Sequence, residues 1–141
     1  MTADARDAGP LAAEHAALYA YGALGAHLTG TARVEAVAAE TAHRARRDAL
    51  LLRLSGASAT PSPAARAYTL PFPVTTPRAA LRLAVLVEER TAAAWRADVP
   101  LRSGDDRRTA VAALTDCAVR AARWRRLLSP AVAATVAFPG S

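Results

Sequence analysis

Apolar and polar positions recur along the chain at spacings of three and four, the repeat of amphipathic helices, and no stretch alternates as a strand would. One stripe joins Leu11, Glu14, Leu18, Tyr21, Gly25 and Leu28. Another joins Leu81, Val85, Glu88, Ala92, Trp95 and Val99, and a further one Leu114, Cys117, Ala121, Trp124 and Leu128. Residues 32–54 offer two competing stripes. Val34, Val37, Thr41, Ala45 and Leu52 form the more apolar one, and Ala36, Glu40, His43, Arg47, Leu50 and Leu54 the more polar one.

Boundary residues mark the same four helices. Gly9-Pro10 opens the first, because proline needs no N–H partner at the first helical position, and Thr29-Gly30-Thr31 closes it near residue 28. Thr31 is the expected cap of a second helix over residues 32–54, ended by Ser55-Gly56. Thr76-Pro77 starts a third that runs to residue 98. Ser103-Gly104-Asp105-Asp106 has the form of a capping box and opens a fourth, running to residue 128.

Residues 55–76 carry Pro61, Pro63, Pro71 and Pro73 and cannot be helical. At ~3.3 Å per residue the segment reaches about 70 Å, whereas a helix of this size is about 33 Å long. It can therefore pass from one end of the helices to the other, packing through Tyr68, Leu70, Phe72 and Val74 and leaving helices 2 and 3 parallel. Two short links and one long crossover form the connectivity of ferritin-like four-helix bundles. The expected fold is thus all-α and ferritin-like: a flexible N-terminus over residues 1–9, the bundle over 10–128 and a C-terminal tail over 129–141.

Composition changes this picture little. The 52% hydrophobic fraction excludes disorder but is carried largely by alanine, which favours helices packed close together. All 18 basic residues are arginine and the net charge is +6, yet the arginines are spread over all four helices, which disfavours nucleic acid as the partner. Residues 1–10 hold two aspartates and no apolar run, so no secretory signal is expected. The longest stretch free of charged residues, 15–32, is too polar for a membrane span. A single cysteine, Cys117, excludes an internal disulfide and fits a reducing, cytoplasmic setting.

Chemistry concentrates on the inner stripes. Glu14 and Glu88 each stand alone on an apolar stripe, where an unpaired carboxylate is costly. Helix 2 supplies Glu40 and His43 as a Glu-x-x-His pair. One glutamate from each of two helices and a Glu-x-x-His pair from each of the other two is how ferritin-like proteins hold two metal ions. Helix 4 departs from that pattern, with Asp116 and Val119 at the corresponding spacing, and Asp116 four residues from Arg120 as in a surface ion pair. Arg47, one turn from His43, points to an Arg–Glu–His network filling the place of metals. The surviving alternative is a single iron or manganese ion held by Glu14, Glu40 and His43, with Glu88 nearby. His15 and His27 read as surface or packing residues, and Cys117 as a buried, inert thiol. No Gly-rich phosphate loop, Ser–His–Asp arrangement or CxxC is present. Arg120, Arg123, Arg125 and Arg126 form the densest basic cluster, read as an exposed, solvated face with an anionic partner as the alternative.

The runs 14–22, 42–50, 70–74, 94–96 and 118–125, among them Leu70-Pro-Phe-Pro-Val74 and Ala94-Trp-Arg96, resemble a ferritin-like family of small proteins of unknown function common in actinobacteria. The resemblance extends from about residue 11 to 140. It implies the fold and no defined activity, and any metal role would come from the wider superfamily. The functional expectation is a non-catalytic structural or interaction module with a degenerate metal centre and no cofactor. A single-metal redox or metal-binding protein and a basic nucleic-acid-associated protein are the alternatives, and a homodimer is left open.

Overall fold

The computed structural model describes residues 3–58, 60–61, 63–130 and 135–141, and among them there are helices and no strands. The four long helices are α1 (Ala3–Leu24), α2 (Gly30–Gly56), α3 (Pro77–Asp98) and α4 (Gly104–Leu128). Short 3-10 turns, Gly25–His27 and Val99–Leu101, follow α1 and α3. Among the described residues no helix is long and apolar enough to cross a membrane.

Helix 1 departs from expectation at its start. It begins at Ala3, so Pro10 stands inside the helix and part of the expected flexible N-terminus is helical. Proline there removes one intrahelical hydrogen bond, while the alanines upstream favour helix. The caps behave differently from one another. Thr76 accepts a hydrogen bond from the Ala79 N–H at 3.1 Å, with Pro77 as the first helical residue, as the sequence predicts. Thr29 rather than Thr31 is the N-cap residue of α2. Ser103 makes no side-chain cap on α4, and the expected box partner Asp106 instead accepts from Arg53 at 3.3 Å.

Side-chain pairs give the helix directions. Glu14 meets Trp95 and Tyr21 meets Glu88, so α1 and α3 are antiparallel. Arg46 meets Asp116 and Arg53 meets Asp106, so α2 and α4 are antiparallel as well. The short link between α1 and α2 makes that pair antiparallel, which leaves α2 and α3 parallel. Residues 57–76 consequently connect opposite ends of the molecule. Tyr68 lies with its ring 5.2 Å from that of Tyr19, Arg82 stacks over Phe72 at 4.6 Å, and Leu70, Phe72 and Val74 pack against buried residues of the helices.

The core has two apolar layers. One gathers Tyr21, Leu24, Leu28, Leu83 and Trp124, the other Leu11, Leu50, Leu54, Trp95 and Ala113. Leu18 and Val85, expected inside, are only half-buried, because Ala17, Leu24, Ala84 and Val87 take the inward positions. Helix 2 turns the more polar of its two stripes inward. Ala36, Ala39, His43, Leu50 and Leu54 are buried, whereas Val34 and Leu52 are 69% and 76% exposed. His43 is thereby bonded to carboxylates through both ring nitrogens, while Val34, Val37 and Leu52 are left exposed.

Candidate functional site

Between the apolar layers, all four helices contribute to one buried chain of hydrogen bonds. The Trp95 indole N–H donates to Glu14 Oε1 at 2.8 Å. Glu14 Oε2 meets His43 Nδ1 at 2.6 Å, and His43 Nε2 meets Glu88 Oε1 at 2.8 Å. The Tyr21 hydroxyl donates to that same Glu88 oxygen at 2.6 Å and accepts from the Trp124 indole N–H at 2.9 Å. Glu14, His43 and Glu88 are fully buried.

Arg120 brings α4 into this layer. Its Nη1 stands 3.5 Å from Glu88 Oε2, and its Nη2 donates to Asp116 at 2.8 Å. Arg46 of α2 donates to the same Asp116 oxygen at 2.8 Å. Arg120 Nη1 and Glu88 Oε2 complete no hydrogen bond, so their contact is an ion pair held by charge alone.

Electrostatics settle the protonation of the centre. Burial by itself would strip the proton from His43, but hydrogen bonds to Glu14 and Glu88 and the charges of both raise its pKa from 6.5 to about 9. His43 is therefore an imidazolium at neutral pH, and both ring nitrogens donate. Burial likewise works against ionised Glu88, yet the His43 hydrogen bond and charge, then Arg120 and Tyr21, hold its carboxyl below the usual value of 4.5. Burial and the adjacent Glu88 push the Tyr21 hydroxyl well above 10, which keeps it a donor. Burial and the two glutamates also push the Cys117 thiol far up, so it is an inert packing group. Two cations, His43 and Arg120, face the two carboxylates of Glu14 and Glu88.

Of the residues singled out from sequence, Glu14, His43 and Glu88 come together and Glu40 does not. Glu40 lies near the surface of α2 and accepts from Arg44 at 2.6 Å. Arg47, expected inside, turns to its neighbour Asp48 at 2.9 Å. The arginine buried against this centre is Arg120 instead, 8% exposed. By sequence alone Arg120 belongs to the solvated basic cluster of residues 120–126. The available signal was its spacing of three from Cys117 and four from Trp124 on the inward face of α4. Val119, which stands where a ligand histidine would be sought, is 45% exposed and points away.

A metal fits this arrangement poorly. Ligating imidazole must present a lone pair, at about 2.0–2.1 Å from zinc for example, whereas His43 presents N–H groups to both of its partners. Glu14 is further engaged by Trp95, and Glu88 by Tyr21 and Arg120. Among the described residues, no group of three or more His, Cys, Asp or Glu side chains is arranged to hold a metal ion.

Comparison with curated proteins finds no match. A solved crystal structure of a conserved hypothetical protein, rv2844, from Mycobacterium tuberculosis is similar in fold, with a TM-score of 0.85 and 40% identity. The match covers 89% of this chain and 96% of that one. Residues 7–141 match the family described as domain of unknown function (DUF4439), and the chain belongs to that family.

Proposed function

We propose that this protein is a non-catalytic, ferritin-like helical module with a structural or interaction role, in which an ion-pair network stands in place of a metal centre. The observation that carries the reading is His43, bonded through both ring nitrogens to Glu14 and Glu88. Arg120 supplies a second fixed cation on Glu88. Such a set holds its own charge balance and needs no added ion. An imidazolium bonded to carboxylates through both ring nitrogens has no lone pair left to ligate a metal or accept a proton. The parallel α2 and α3 and the strap between them support the ferritin-like assignment.

Thermal melting with and without added iron(II) or manganese(II) tests this reading. The expected melting temperature is the same in both. A rival single-metal protein would gain about 2.7 kcal/mol at a hundred times its dissociation constant, and His43→Ala would abolish the gain. Metal-dependent stabilisation lost in that variant refutes the proposal.

A further inference from the structure

The C-terminal residues 135–141 lie against α3 and α4. Gly140 has φ +80°, and a Cβ there would meet the Ala92 carbonyl oxygen at 2.9 Å, so the tail runs against the α3 backbone where another residue would not fit. Arg96 reaches the Pro139 carbonyl at 3.5 Å. Between this tail and α4 lies a concavity of about 880 Å³, a size typical of small-molecule sites, which run to roughly 1,000 Å³.

The lining of the concavity is mixed in chemistry. Leu114, Ala118 and Ala122 line α4's side, and Val136 and Phe138 line the tail's side. Phe138 is an apolar ring left 70% exposed. Arg123, Arg125 and Arg126 also line it, toward the C-terminal end of α4. Glu89 is committed to Arg125, and Arg123 reaches Glu35 only at 4.0 Å. That end consequently carries a positive surplus with guanidinium groups suited to bidentate binding of carboxylate.

We propose that this groove binds a single-chain amphiphilic anion, a long-chain fatty carboxylate, with its chain along α4 and its head group at Arg123 and Arg126. Leu114 and Arg126 are separated by about 18 Å along the helix axis, the scale of an extended fatty-acyl chain. A small polar anion would leave the apolar length uncovered, and a neutral lipid would leave the arginines unanswered.

Calorimetric titration of the full chain with sodium myristate, below its aggregation concentration, tests the proposal. Saturable one-to-one binding is expected, weakened at least tenfold by the double variant Arg123→Ala/Arg126→Ala and at least tenfold by Ala118→Trp. Wild-type protein should bind 1-tetradecanol at least tenfold more weakly than myristate, a comparison that needs no variant to fold. No saturable binding of myristate, or equal binding of the alcohol, overturns the proposal. So does a dimer, detected by sedimentation, that Ala118→Trp splits, since the groove would then be an interface between copies.

Discussion

Arg120 on α4 and Glu88 on α3 stand 3.5 Å apart in the interior, each with a polar atom that has no hydrogen bond. Arg120 also holds Asp116, so one side chain ties the fourth helix to both the buried centre and the Arg46 pair. Replacing Arg120 by alanine leaves Glu88 and Asp116 short of a cation, and breaking a buried pair in this way costs about 3–5 kcal/mol. The conservative pair Arg120→Met/Glu88→Gln should be less damaging than Arg120→Met alone. Urea denaturation of the three variants checks the order, and an unaffected Arg120→Ala protein would show that the ion pair contributes nothing.

The shifted His43 makes stability depend on alkaline pH. A pKa raised from 6.5 to about 9 means that the folded state holds a proton the unfolded state releases. The contribution is complete below the unfolded value of 6.5, declines as pH rises toward 9 and is lost above it. Glu88, lowered from 4.5, acts at the other end: its contribution is present above 4.5 and lost as pH falls through the folded value. Urea midpoints should therefore fall on both sides of a plateau near pH 5–6. His43→Gln should flatten the alkaline limb, and an NMR titration of the imidazole with a midpoint near 6.5 would contradict the geometry.

Glu14 joins Trp95 to His43, so Glu14→Gln removes a charge without changing shape. The amide leaves the imidazolium one counter-charge short, and the expected loss is about 1–3 kcal/mol. The His43 titration midpoint should move down in the same variant. Stability loss without that shift would mean that Glu14 acts only through packing.

Helix 2 offers a test of face assignment within three residues. Leu54 is fully buried and Leu52 is 76% exposed. Leu54→Ala should cost about 2–5 kcal/mol, and Leu52→Ala less than about 0.5 kcal/mol. Equal effects, measured by denaturant midpoints, would mean that the helix is rotated from the orientation described.

Each tryptophan ends the hydrogen-bonded chain and anchors one apolar layer. Truncation of Trp95 or Trp124 to alanine should cost about 3–5 kcal/mol. Trp124→Phe keeps most of the packing and removes the donor to Tyr21, so its cost should be about 0.5–1.5 kcal/mol. Thermal or urea unfolding separates the two terms, and equal costs for Ala and Phe would place the weight on the hydrogen bond.

The four helices, the start of the third and the ends of the third and fourth were legible because they follow from local physics. Alanine-rich periodicity, Thr76-Pro77 and the proline run over residues 57–76 state their preferences without any long-range contact. The solitary Glu14 and Glu88 were legible for a related reason, since a carboxylate on an apolar stripe must find a partner. Which partner was decided by packing. Helix 2 carries two plausible faces, and only the docking of α1 and α3 on it selects the one with His43. Glu40 and Arg47 are near His43 in sequence yet turn outward, because Arg44 and Asp48 satisfy them at the surface. Arg120 reads as one more surface arginine until α3 places Glu88 in front of it. Periodicity and capping are properties of one helix, whereas the pairing of buried charges is a property of four, and that is where sequence alone stops and the tertiary structure decides.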